Sequence, residues 1–190
     1  MREAAVTRGR AATALPAGKD AVAAFLKAGG KLLALGVTEA DARAVLPFGV
    51  TMRDTEHINA YFEAPGCNSP LEGIGPADVH NRAPRELPLV MGGAKTVGDG
   101  VLATSEDGSV VFCQMTPWQF DYRRNYGLKR TFRRAAFLVN RLLGSLGADG
   151  ATPLTARFSQ PAGKVETRWS DGLYLDQPEE MDDPYRFFRW

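Results

Sequence analysis

The stretch Phe25–Gly36, FLKAGGKLLALG, holds the change of period that decides the fold. Ahead of the glycines, Ala21, Val22, Phe25 and Leu26 recur at helical spacing within 19–28. Gly29 and Gly30 then stop the helix, because glycine readily takes the left-handed conformation in which helices end. Lys31–Leu35 follows as a nearly continuous apolar run closed by Gly36, the pattern of a parallel strand buried on both faces. Thr38 opens a second helix, with a hydroxyl at the cap, Glu39 and Asp41 in the first turn, and Ala42, Val45 and Leu46 behind them. Pro47 closes it. Helix, glycine turn, strand and helix together predict an α/β unit.

Working outward, residues 48–84 are punctuated by Gly66, Pro70, Gly73, Gly75 and Pro76 and read as loop-rich, with a short helix or strand over Glu56–Phe62. Leu87–Val90 reads as the start of a strand that Pro88 confines to a sheet edge. Lys95–Ser105 and Ser109–Met115 read as two strands about the turn Glu106-Asp107-Gly108. Gly127–Leu146 is the clearest helix. Leu128, Phe132, Ala135, Val139, Leu142 and Leu146 form its apolar stripe, and Arg130, Arg133, Arg134 and Arg141 are expected off that stripe. The chain therefore divides into a loose amino-terminal arm (1–18), an α/β domain (19–150) and an aromatic-rich, irregular carboxy-terminal extension (151–190).

Composition bounds the function classes. With 190 residues, 44% hydrophobic and 24% charged, the chain is long enough to bury roughly 70% of its unfolded surface in one domain. Its formal net charge of +1 argues against a globally basic nucleic-acid binder. No apolar run approaches the roughly 20 residues that span a bilayer, so no membrane partner is expected. The start carries charge from Arg2 onward and lacks the apolar core of a signal peptide, which leaves the compartment open. Two cysteines, Cys67 and Cys113, and two histidines, His57 and His80, match no disulfide framework or metal motif, so no metal or cofactor is expected.

Three groups of residues carry candidate chemistry. Asp78, His80, Asn81 and Arg82 fall within five positions of one loop, where they could grip a carboxylate or sugar hydroxyl, or simply cap local backbone donors. Trp118, Phe120 and Tyr122 follow the last expected strand, and in α/β sheets ligands bind outside the carboxyl ends of strands. These rings could stack on a sugar face or pack under the carboxy-terminal extension. Seven basic residues between positions 121 and 143 stand against one acid, Asp121, while residues 171–183 hold six acids and no base. Mutual charge complementarity accounts for both without nucleic acid. The aromatics of 169–190 predict that this acidic tail is docked rather than free.

The segment FLKAGGKLLALG resembles a recurrent element of class I glutamine-amidotransferase-like domains, in which a helix leads through a Gly-Gly turn into a core strand. GSVVFCQMTPWQFD followed by RTFRRAAFLVNRLLGSLG is similar to the end of such domains in large bacterial β-galactosidase-like enzymes. GPADVHNRAPRELPLV and EEMDDPYRFFRW look like the carboxy-terminal stretches of long planctomycete-type hydrolases related to glycoside hydrolase family 2. The resemblance spans about residues 20–190. It implies a flavodoxin-like sheet flanked by helices and a non-catalytic accessory or interface role. The implied partners are the catalytic domain of a parent hydrolase or a second copy of the chain. If that parent is exported, the compartment is periplasmic or extracellular. The alternatives are a carbohydrate-binding module centred on Trp118 and a small hydrolase with a site around His80. Departures from an active amidotransferase are plain: Cys67 in APGCNSP follows no convincing strand, and Cys113 lies within one. The acids Glu179, Glu180, Asp182 and Asp183 crowd one short run, unlike two carboxyls held across a sugar cleft.

Overall fold

The computed structural model describes residues 3–7, 18–63, 65–66, 69–81 and 83–148 of the chain. At its centre, β2 (Lys31–Leu35) lies parallel to β1 (Glu3–Thr7) on one side and to β7 (Val110–Cys113) on the other. Beyond β7 the sheet turns antiparallel through β6 (Leu102–Thr104) and β5 (Lys95–Val97), giving the order β1-β2-β7-β6-β5. The fold is therefore a mixed α/β domain. The Ala-, Thr- and Arg-rich residues 1–18, expected as a loose arm, include the edge strand β1, which borrows its pairing from β2 rather than from any strong pattern of its own.

Side chains alternate across the sheet with a period of two, and this sorts the core into two layers. Leu32, Ala34, Val110 and Phe112 pack with Val22 of α1 (Lys19–Lys27) and with Ala42 and Leu46 at α2 (Glu39–Val45). Leu33, Leu35, Val111 and Cys113 pack with Ala135, Leu138 and Leu142 of α3 (Lys129–Ser145) on the opposite face. A strand covered on both sides has no polar face to spare, which is why KLLAL is apolar and buried from Leu32 onward.

The glycine turn works as its composition implies. Gly29 takes φ +83°, and the amides of Gly29 and Gly30 donate to Leu26 O and Phe25 O, closing the end of α1. A Cβ on Gly30 would lie 2.5 Å from the Phe25 ring, so the second glycine is needed for packing. The same device ends α3, where Gly147 sits at φ +84° and Ala148 N–H reaches Leu143 O. At α2, Asp41 N–H donates to Thr38 Oγ1 at 3.2 Å while Thr38 N–H donates to Asp41 Oδ2 at 3.0 Å, a reciprocal cap.

Three expectations are corrected. The run expected as one strand over 95–105 is the hairpin β5–β6, because Gly98 and Gly100 at φ +66° and +94° turn the chain at Asp99. Residues 56–62 hold only the end of a strand, β3 (Thr51–His57), which pairs with β4 (Arg85–Gly92) in a separate two-stranded ribbon. Pro88 faces Asp54 there and is tolerated because the ribbon has no third strand to serve. Finally, Arg134 does not lie off the buried stripe of α3: it is 7% exposed, on the same face as Leu138. The expected docking of 171–190 lies outside the described residues.

Candidate functional site

The short 3-10 helix η1 (Pro76–Val79) and its exit carry the polar loop picked out from the sequence. Asp78 folds back to accept from Gly75 N–H at 2.8 Å and also accepts from Arg141 Nη1 at 3.1 Å. That same guanidinium nitrogen reaches Gly73 O. His80 is half-buried, and its carbonyl accepts from Arg134 Nη1 at 2.6 Å. Asn81 is fully buried; its amide donates to Ile58 O at 2.6 Å and its Oδ1 accepts from Ala83 N–H at 2.8 Å. Arg82 lies outside the described residues. The structure thus brings Asp78, His80 and Asn81 together, and much of their hydrogen bonding ties η1 to α3 and to the loop after β3. Two of the arginines expected to meet the acidic tail, Arg134 and Arg141, reach η1 and its flanks.

The three aromatics at the carboxyl end of β7 take different environments. Trp118, in the 3-10 helix η2 (Pro117–Gln119), is 45% exposed. It stands beside the end of β2, since a Cβ on Gly36 would meet Trp118 Cζ2 at 3.8 Å and Thr116 Cγ2 at 3.2 Å. Phe120 is fully buried, with the Arg85 guanidinium 5.7 Å above its ring. Tyr122 packs on Phe132 of α3 at a centroid distance of 4.8 Å. Trp118 alone of the three presents a broad open ring. In the segment between β7 and Trp118, Thr116 Oγ1 and Gln114 Oε1 are buried polar atoms without a hydrogen-bond partner among the described residues.

The nucleophile candidates divide similarly. Cys67 lies outside the described residues. Cys113 ends β7 fully buried, its thiol donates to Met115 O at 3.1 Å, and burial pushes its pKa up to about 12. Such a thiol is almost never a thiolate at neutral pH, so it packs rather than reacts. Among the described residues, no three His, Cys, Asp or Glu side chains cluster to hold a metal ion. No described helix is long and apolar enough to cross a membrane.

Sequence reasoning missed His57, a buried ring held at both nitrogens. It ends β3 with its side chain fully buried, Nδ1 lies 2.6 Å from Asp99 Oδ2, and Nε2 lies 2.7 Å from Val79 O. Asp99 also accepts from Val101 N–H, which fixes its carboxylate in the β5–β6 turn. The available signal was the place of His57 in a strand. Its partners stand 42 and 22 positions away, a separation that local pattern does not reach.

Fold and site together define a mixed α/β domain whose clustered polar residues largely brace its own loops. Comparison of the chain with protein-family models, curated proteins and solved structures finds no match.

Proposed function

We propose that this chain is a non-catalytic accessory or interface domain of a bacterial carbohydrate-active glycoside hydrolase of the β-galactosidase-like kind. On this reading its sheet is the flavodoxin-like one of amidotransferase-like domains. One observation carries the reading. The polar loop that would serve best as a site is built into the scaffold: Asp78 is held by Arg141 and Gly75, the His80 carbonyl by Arg134, and Asn81 is sealed in. The parallel trio β1-β2-β7, with α1 and α2 on one face and α3 on the other, is compatible with the flavodoxin-like arrangement.

The test is turnover. The purified chain is expected to hydrolyse neither aryl glycosides nor glutamine. It should instead associate with a catalytic barrel encoded immediately upstream, where one is present. Turnover that disappears in Cys67→Ala, His80→Ala or Glu179→Ala would overturn the reading.

A second reading, carbohydrate binding, is favoured by the open Trp118 ring at the carboxyl end of the parallel strands. A flat apolar ring beside polar atoms suits a sugar face. Its test is a change in tryptophan fluorescence on titration with galactosides that Trp118→Ala removes.

A further inference from the structure

We propose that His57, by donating from both ring nitrogens, is a pH-sensitive latch that holds the η1 loop onto the β3–β4 ribbon and the β5–β6 turn. Val79 O is a carbonyl and can only accept, so Nε2 must carry a hydrogen at their 2.7 Å separation. The Asp99 carboxylate likewise accepts, so Nδ1 carries the second hydrogen at 2.6 Å. A ring with both hydrogens is an imidazolium, here with its side chain fully buried. Burial opposes that charge, but the Asp99 hydrogen bond, the Val79 carbonyl and the Asp99 charge outweigh it and hold the pKa above the ordinary imidazole value.

The charged groups around the latch come from each element beside it. Asp99 stands on the β5–β6 turn, and Arg85 is the register partner on β4, with Glu56 and Glu86 paired next along the ribbon. Asp78 and His80 flank Val79, with Arg141 and Arg134 of α3 behind them. Of these charged groups, Asp99 is the one hydrogen-bonded to the ring.

Loss of one proton leaves a neutral ring with one N–H. The carboxylate is the stronger acceptor, so Nδ1 keeps its hydrogen and Val79 O is left facing a lone pair. The break therefore falls on η1. Because the folded pKa is raised, the stability contributed by His57 is complete below the unfolded value of about 6.5 and is lost as pH rises through the folded value. The η1 loop, with Asp78, His80 and Asn81, should open on that alkaline side while the sheet stays closed. This inference does not depend on the accessory-domain reading.

The experiment is nuclear magnetic resonance of the full chain across pH. Both His57 ring nitrogens are expected to be protonated at pH 7 and to titrate above 6.5. Amide exchange at Asp78 and Asn81, corrected for intrinsic base catalysis, should accelerate at least tenfold through that titration, with Leu32 and Gly36 unchanged. Asp99→Asn should move both events to lower pH together. A neutral His57 ring at pH 7 would overturn the proposal, as would η1 exchange that follows base catalysis alone. Both are read on the wild-type chain, whether or not the variant folds.

Discussion

Arg141 on the outer half of α3 donates to the Asp78 carboxylate at 3.1 Å, joining residues 63 positions apart. The contact is partly shielded, with the side chains 32% and 16% exposed, and Asp78 simultaneously accepts from Gly75 N–H. Arg141→Ala leaves that carboxylate without its cation and frees Gly73 O as well. A hydrogen bond to a charged group contributes about 1.5–3 kcal/mol, so the variant should lose about 1–3 kcal/mol in denaturant unfolding. Arg141→Lys should recover only part, because both bonds come from the terminal Nη1, which lies one bond further from the backbone than a lysine ammonium reaches. The decisive measurement is the double-mutant cycle with Asp78→Ala. Additive losses would show that the two residues act separately.

A second prediction concerns the central strands. Leu33 and Val111 are 1% and 0% exposed and are register partners across β2 and β7. An aspartate at either site would stand among the buried apolar side chains of the layer beneath α3. The cost is several kcal/mol, on the order of the whole stability of a domain this size. Leu33→Asp and Val111→Asp should each abolish the cooperative thermal transition. Wild-type melting in either variant would refute the strand pairing.

The parts of the fold that were legible in the sequence are those in which one local pattern meets one demand. Leu32–Leu35 is apolar throughout because both faces of its strand are covered, and Thr38 with Asp41 caps a helix using residues three apart. The β5–β6 hairpin was missed although Gly98-Asp99-Gly100 is a strong turn signal, because the apolar residues on either side blend into one strand-like run. Arg134 was misplaced for a different reason. Its charge marks it as a surface residue, but its head group meets the His80 carbonyl, a partner 54 positions away. Long-range polar pairing of this kind also hid the role of His57. In the candidate site the spacing of Asp78, His80 and Asn81 shows that they share one loop, but whether their side chains face a ligand or the scaffold is a tertiary property.

The turn between β6 and β7 yields a prediction at acid pH. Asp107 Oδ1 accepts from the Ser105 hydroxyl at 2.6 Å, the Ser109 hydroxyl at 2.8 Å and Ser109 N–H at 3.0 Å. The Ser105 hydroxyl, with the Ser109 amide and hydroxyl, holds its pKa down at about 2. A depressed carboxylate stabilises the fold above its unfolded value near 3.8, and that contribution fades as pH falls towards 2. Asp107→Ala should therefore melt below wild type at pH 7, and the gap should narrow steadily between pH 4 and pH 2. A gap independent of pH would mean that the aspartate acts only through its shape. The group is largely exposed, so the effect is expected to be small and weakened by salt.

Trp118 and Phe120, two positions apart, separate packing from recognition. Phe120 is fully buried, joins the core layer of α3 and lies under the Arg85 guanidinium, whose Nε also approaches Gln119 O at 3.5 Å. Removing that ring opens a cavity the neighbours cannot fill, and Phe120→Ala should cost about 3–5 kcal/mol. Trp118 is 45% exposed and rests against the end of β2 beside Gly36. A ring already nearly half in water gives up only part of its apolar contact when it is truncated. Trp118→Ala should accordingly cost about 1 kcal/mol or less by denaturant unfolding. Any binding of galactosides by this domain should then vanish in Trp118→Ala while the fold is retained. A Trp118→Ala variant as unstable as Phe120→Ala would assign the ring to the core and remove the physical basis for carbohydrate recognition at this edge of the sheet.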